Sequence, residues 1–520
     1  MWIIFQLLWD PFFLLGLLLA TIYYYFTATF DFWAKKNVPF RKPIIFFGNF
    51  KELLLFRKSQ PEGILEIYNW FKNEDYFGVF RVRTPSLIIK NPELIKDVFV
   101  KDFANFSNRG IPINNTDPLM GNLFNLEGEK WKGLKSKLTP AFSPSKIKGM
   151  FYLLEECAGQ LEKIIINVTK ENESIVDTRV LAANYTIDVI GTCAFGIQTN
   201  AINSKDCEFK TMARKLSKSS LKTSIWRMLR PAMPTLFKIL GVQMIDPEVT
   251  KFFKSVVSQV IKQRENQELK RHDFMDLLIE LKNKGTLEAD NKGKENHDDE
   301  QLTKKIELDE DTITAQAFVF FVAGYDTSAN VISFCLHELA LNSEIQEITR
   351  RDILDTLEKY DGKLTYDAIQ EMKYLDMVVS ETLRKYPLSP LLSRKCEGPY
   401  KIPGTEIELP AGMRVIIPIY GLHHDANNYP DPEIFDPERF NEENKKKRHP
   451  FVYLPFGDGP RGCIGQRFAY LQTKMGIITF LRNHRVELCE KSAIPLIFSR
   501  RNYMTSSEKG IWLKIVSITN

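Results

Sequence analysis

Cys463 has the surroundings of a cysteine put to chemical use. It lies in Phe456-Gly457-Asp458-Gly459-Pro460-Arg461-Gly462-Cys463-Ile464-Gly465, a loop rich in glycine. The stretch that follows, Gln466 to Leu481, reads as a helix, with apolar residues at Phe468, Leu471, Met475, Ile478 and Phe480. The cysteine therefore precedes a helix N-terminus, where backbone N–H groups and the helix dipole favour a thiolate. The glycines let the backbone come close to a flat partner, against which Phe456 can pack. The bland alternative is a structural cysteine, since free Cys is among the most buried residue types.

Two other constellations carry polar groups where packing alone does not call for them. Asp311 to Leu341 reads as one long helix, and Ala323-Gly324-Tyr325-Asp326-Thr327-Ser328 lies at its centre. A mid-helix glycine costs ~1 kcal/mol against alanine, and close approach of a ligand is one reason to keep it. Asp326 and Thr327 compete for backbone hydrogen bonds and are poor choices inside an apolar helix. Helix packing with a back-bonded Thr327 is the alternative. Glu381 and Arg384 form an E-x-x-R pair on one helix face. Tyr386-Pro387 stops that helix, and Asp436-Pro437-Glu438-Arg439-Phe440 supplies another arginine.

The cysteine loop matches F-x-x-G-x-R-x-C-x-G at every fixed position, through Phe456, Gly459, Arg461, Cys463 and Gly465. It resembles the haem-thiolate loop of the cytochrome P450 superfamily. Ala323 to Ser328 resembles the oxygen-activating A/G-G-x-D/E-T-T/S segment of the same enzymes. The resemblance implies that Cys463 is the proximal ligand of a haem b iron. A thiolate pushes electron density onto iron and favours O–O cleavage. Asp326 and Thr327 would carry protons to bound oxygen, beside Ala323. Phe456 and Gly465 would touch the haem. Arg461, Trp131, Arg109 and Arg394 would serve the propionates. Lys135 would join them, standing where relatives have arginine in W-x-x-x-R. Glu381, Arg384 and Arg439 would form a charge network under the loop.

The resemblance also implies an activity: insertion of one oxygen atom from O₂ into a lipophilic small molecule, with electrons from NADPH through a reductase. Cytochrome b5 would be a second electron donor. A haem-thiolate isomerase or dehydratase that does not use O₂ is the alternative, and the intact Asp326-Thr327 pair argues against it. Asp31-Phe32-Trp33, Ile45-Phe46-Phe47-Gly48-Asn49, Leu138-Thr139-Pro140-Ala141-Phe142 and Asp273-Phe274-Met275-Asp276-Leu277-Leu278 look like microsomal insect members that act on xenobiotics. Candidate pocket residues lie at Ile111 to Phe124, Phe318 to Phe321, Leu388 to Leu392 and Tyr503-Met504-Thr505-Ser506. Lys445-Lys446-Lys447-Arg448, with Lys132 and Lys137, would give a basic face for the acidic reductase.

The elements that must position these residues are mostly helices. Leu153 to Val168, Val176 to Phe195 and Val249 to Arg271 have clear helical periodicity. Tyr76 to Lys90 alternates as a hairpin with a turn expected at Thr84-Pro85-Ser86. Asn91-Pro92-Glu93 starts a helix. Tyr400 to Pro418 and Ile494 to Ile518 read as short strands. Leu281 to Glu310 is polar and reads as a solvated loop. The expected fold is mainly α with small β-sheets, the haem lying between the central helix and the cysteine loop.

Pro11 to Phe30 is uncharged, and about 20 such residues span a bilayer. Trp9 on one side, and Tyr23 to Tyr25 and Trp33 on the other, suit the two interfaces. Lys35, Lys36, Arg41 and Lys42 follow, which places the remainder in the cytosol by the positive-inside rule. The expected organisation is a membrane anchor over 1–33, a Pro-containing linker over 34–50 and a catalytic unit over 51–520, on the endoplasmic reticulum membrane. The seven scattered cysteines argue for a reducing compartment. A net charge of +5 over 520 residues does not suggest nucleic acid.

Overall fold

The helix Glu310–Leu341, 32 residues long, is the element around which the others pack. It belongs to a computed structural model that describes residues 11–111, 117–170, 174–204, 206–217, 243, 245–267, 271–284 and 308–518. Most of the polar 281–310 stretch, part of the 111–124 stretch and Trp9 lie outside those residues. Asp309 caps the helix by accepting from Thr312 N at 2.8 Å, and Glu310 and Asp311 complement its dipole. The helix is apolar on nearly every side, so it is buried. Thr178–Ile190 and Gln466–Leu481 pack along it.

Gly324 owes its place to this packing. A Cβ there would sit 2.9 Å from Cγ1 of Ile190 and nearer still to Cδ1. A neighbouring helix therefore fills the notch that the sequence reading offered to a ligand. Gly476 works the same way from the other side, since a Cβ there would meet Ile332 at 2.7 Å.

The other helices fall close to their expected places: Phe151–Lys170, Pro247–Gln267, Lys373–Lys385 and Gln466–Leu481. Val176 to Phe195 differs, because Ile175–Asp177 is a strand and the helix begins only at Thr178. Asp177 makes the switch: its carboxylate accepts from Arg179 N and from Ile511 N of the adjoining strand segment.

The strands are β1 (Tyr76–Arg81), β2 (Thr84–Ile89), β3 (Ile175–Asp177), β4 (Leu392–Lys395), β5 (Tyr400–Lys401), β6 (Glu408–Leu409), β7 (Arg414–Ile417), β8 (His484–Glu487) and β9 (Trp512–Ser517). One sheet has the order β1-β2-β7-β4, a second the order β3-β9-β8, and β5 pairs with β6. The first hairpin turns two residues earlier than expected. Arg81 pairs with Thr84, so the loop is Val82-Arg83, with Val82 at φ +58°. Pro85 is tolerated in β2 because β7 pairs only from Ser86 onward, where an N–H is needed. Of the stretch 494–518, only Trp512–Ser517 is a strand; Phe498 and Ser507 form an isolated bridge.

Near the N-terminus, Pro11–Thr27 is an apolar helix with no buried residue. Trp33, expected at a membrane interface, is instead fully buried against β1, where its indole donates to Val79 O at 3.2 Å. The 34–50 segment also leans on β1, with Phe40 bridging Gly78 and Gly48 bridging Arg81.

Candidate active site

The cysteine loop is shaped by its backbone. Gly457 and Gly459 both adopt φ +67°. A Cβ on Gly459 would collide with the carbonyl of Phe99, so only glycine fits there. The Asp458 carboxylate accepts from Gly459 N, and Cys463 N donates to Phe456 O at 2.9 Å. Gly465 N–H points at the sulfur, and Phe456 packs 5.4 Å from Tyr470. The Cys463 side chain is accessible, whereas Cys157, Cys193, Cys207, Cys335 and Cys396 are buried and Cys489 is half-buried. The sulfur is ringed by protein. Burial raises its pKa above the usual thiol value, and the Gly465 N–H and the Arg109 charge only partly offset this. The expected thiolate preference is thus reversed in the bare chain, because desolvation outweighs the backbone N–H groups. Bonding to a metal is what would remove the proton.

Four cations gather beside the sulfur. Arg109 donates to Phe124 O at 2.9 Å and to Arg461 O at 3.1 Å. Arg461 lies 3.7 Å over the Trp131 ring and donates to Ser107 O at 2.8 Å and Leu126 O at 2.7 Å. Arg394 donates to Ser393 O, and its buried Nε has no partner. Lys135 Nζ is 5.6 Å from the same Trp131 ring. Burial lowers all four: Arg109 to about 10, Arg394 and Arg461 to about 9, Lys135 to about 8. Mutual repulsion adds to this in Arg394, Arg461 and Lys135. Glu127 and Glu397 act on Arg461 from a distance, but none of the four cations is ion-paired among the described residues, so the cluster is short of negative charge. A porphyrin with two propionates and a sulfur-ligated iron would supply it, so the donor set fits haem.

The central helix is accessible in its middle at Val319, Phe320, Val322, Ala323, Gly324, Asp326 and Thr327. Thr327 Oγ1 donates back to Ala323 O at 2.6 Å. Asp326 is ion-paired with Arg179, whose Nε donates to Asn330 Oδ1 at 2.7 Å. Nothing local to Asp326 points to Arg179, which lies 147 residues away. Of the candidate pocket residues, Phe318 and Phe321 are buried with Phe253 in an aromatic cluster.

Glu381 and Arg384 are fully buried, joined by a fork of 2.7 and 2.8 Å. Arg439 completes the triad at 3.5 Å from Glu381. His423, missed in the sequence, links this network to the loop. Its Nδ1 lies 3.1 Å from Arg384 O, and its Nε2 accepts from Leu454 N at 3.0 Å, two residues before Phe456. With Nε2 accepting, Nδ1 carries the proton and the ring is neutral. Burial holds His423 well below the usual histidine pKa, and it holds His424 down at about 3.

An unfolded histidine takes a proton near pH 6.5, and these two refuse it while folded. The unfolded chain therefore binds more protons below that pH, and stability is full above about 6.5 and is lost as pH falls. Each strongly shifted histidine removes ~1.4 kcal/mol per pH unit. Melting temperature should drop between about pH 6.5 and 5. His424→Gln takes no proton in either state and should flatten that profile. Parallel profiles would assign the loss to other groups.

Part of the basic run is paired locally, on the solvent-exposed surface. Lys445 pairs with Glu442 and Lys447 with Glu443. Arg448 donates to Arg439 O and lies over Tyr429, and Lys137 is buried.

These features fit a haem-thiolate type of site on a mainly helical fold. The cytochrome P450 sequence family matches residues 38–514, and the chain belongs to that family. It is 40% identical to probable cytochrome P450 6a13 of Drosophila melanogaster, over 94% of each chain. It is 38% identical to cytochrome P450 6k1 of Blattella germanica, over 98% of this chain and 97% of that one. Cytochrome P450 9e2 of the same species is 37% identical over 99% of both. The family are haem-containing monooxygenases.

Proposed function

We propose that this chain is a membrane-anchored monooxygenase that oxidises lipophilic small molecules, xenobiotics among them, with electrons from NADPH delivered by a reductase, cytochrome b5 serving as a second donor. The observation that carries this reading is an accessible cysteine in a loop beside four cations, none of them ion-paired among the described residues. When bound, haem supplies reductive activation of dioxygen. Cys463 would be its ligand; Arg109, Arg394, Arg461 and Lys135 would hold its propionates, with Trp131 backing Arg461; Ala323, Phe456 and Gly465 would contact it. Glu381, Arg384 and Arg439 keep the loop in place. The Pro11–Thr27 helix, apolar and unburied, anchors the chain in the endoplasmic reticulum membrane with residues 34–520 in the cytosol.

Thr327 Oγ1 donates to Ala323 O and so keeps its lone pairs free on the accessible middle of the helix, where they can hold a water. Asp326 is the group through which a proton enters from solvent, once its carboxylate is released from Arg179. Thr327→Ala should uncouple electron use from product: NADPH consumption persists while product falls and hydrogen peroxide rises. Unchanged coupling would remove Thr327 from this role.

The test of the whole reading is a reduced carbon-monoxide difference spectrum of the purified full chain, followed by turnover with NADPH and reductase. Protein without porphyrin would overturn the reading. Turnover of a peroxide without NADPH would favour an isomerase or dehydratase.

A further inference from the structure

The accessible middle of the central helix contains one residue turned inward. Val322, Ala323, Gly324, Asp326 and Thr327 are all open to some degree, whereas Tyr325 is 4% exposed. Its ring lies 4.9 Å from that of Phe321, in the aromatic cluster around Phe253. Its hydroxyl donates to Ala213 O at 3.1 Å, on the helix Glu208–Ser217. That helix is itself held down: Phe209 packs on Phe321, Lys210 donates to Ala201 O and Ser204 O, and Lys215 pairs with Glu248.

The backbone of Tyr325 is tied to a different helix. Tyr325 O accepts from Thr186 Oγ1 at 2.9 Å. Thr186 and Arg179 stand seven residues apart on Thr178–Ile190, which puts them on one face of that helix, two turns apart. That face reaches the central helix twice in succession, through Thr186 to Tyr325 O and through Arg179 to the Asp326 carboxylate. Tyr325 is thus fastened at both ends, by its carbonyl to one helix and by its hydroxyl to another.

Phenylalanine would fill the same slot and keep the contact with Phe321. A buried hydroxyl is costly unless it is bonded, and once bonded it adds little net stability over the ring alone. What the bond to Ala213 adds is direction. Successive residues of an α-helix lie about 100° apart around its axis, so a clamp at 325 sets the azimuth of 326 and 327 as well.

We infer that Tyr325 is a positioning residue for proton delivery: held by Ala213 and Thr186, it fixes the aim of the Asp326 carboxylate and the Thr327 hydroxyl. The delivery role rests on the monooxygenase reading; the clamp itself does not.

The test uses the haem-loaded full chain with reductase, NADPH and a substrate that the unmodified chain turns over. Tyr325→Phe removes one oxygen atom. Product formed per NADPH should fall about threefold and hydrogen peroxide should rise, with KM within about twofold, because the hydroxyl is withdrawn from the accessible surface. A second readout does not depend on turnover: amide hydrogen exchange over residues 323–329 should quicken about fivefold while that of β1 stays unchanged. Thr327→Ala should mask the effect on coupling, so that the double variant Tyr325→Phe with Thr327→Ala couples no worse than Thr327→Ala alone. A lower melting temperature with unchanged product per NADPH would make the hydroxyl a stabiliser only and overturn the inference. So would losses that multiply in the double variant, or exchange over 323–329 equal to that of the unmodified chain. Absence of NADPH-dependent turnover in the unmodified chain would sink the monooxygenase reading and the delivery role with it, whereas failure of the inference alone leaves that turnover intact.

Discussion

Cys463→Ser is expected to abolish oxidation while leaving the fold almost unchanged. The loop does not depend on sulfur for its shape. Gly457 and Gly459 set its backbone, Asp458 caps its short turn, and Cys463 N is tied to Phe456 O. The substitution should therefore cost about 0–1 kcal/mol, as for a small accessible side chain. The four cations remain, so porphyrin should still bind through its propionates. What disappears is the thiolate, and with it the electron push that favours O–O cleavage. The reduced carbon-monoxide difference band typical of a thiolate ligand should vanish, and NADPH-dependent turnover should fall to background. Cys463→His should also lose turnover, although it restores a ligand. No other cysteine can stand in: five are buried and Cys489 is half-buried on another part of the chain. A Cys463→Ser protein that kept the thiolate band would refute the ligand assignment.

The parts of the site that were legible in the sequence are those whose chemistry is local. The cysteine loop is read from ten consecutive residues, and the glycines that shape it have positive φ for reasons a turn makes plain. The E-x-x-R pair is read from one helical turn, and the structure gives it the fork that spacing allows. Long helices were legible because their apolar period persists for several turns. What was not legible depends on distant pairing. Arg179 meets Asp326 across 147 residues, and His423 joins Arg384 to Leu454 across two loops. Gly324 left ligand approach and helix packing both open, because nothing local reveals Ile190. Trp33 suited a membrane interface by type, yet β1 offered it a buried slot and a carbonyl. The preference of Cys463 for the neutral thiol is likewise a property of the assembled interior, where desolvation competes with a single N–H and one arginine.

Arg384→Ala should be the most destabilising single change in the site. It leaves Glu381 fully buried with Arg439 at 3.5 Å and Asp436 N at 3.0 Å as its remaining partners. Breaking one partner of a buried pair costs ~3–5 kcal/mol. It also frees His423 O and Ile434 O, to which Arg384 donates at 3.0 and 3.4 Å. Those carbonyls lie on the segment that leads to Arg439, Leu454 and the cysteine loop. The variant should melt far lower and retain little haem. Arg384→Lys keeps the charge without the fork and should fall between. The double change Glu381→Met with Arg384→Met separates two explanations. Replacing a buried ion pair by apolar groups of similar volume is often neutral, so melting temperature should recover part of the loss, Arg439 being left without its carboxylate. Haem retention should not recover, because methionine donates nothing to His423 O or Ile434 O, and Asp436 N loses its acceptor. If haem retention rose in step with melting temperature, the network would be a stabiliser only, and the placing of the Cys463 loop would have to come from elsewhere.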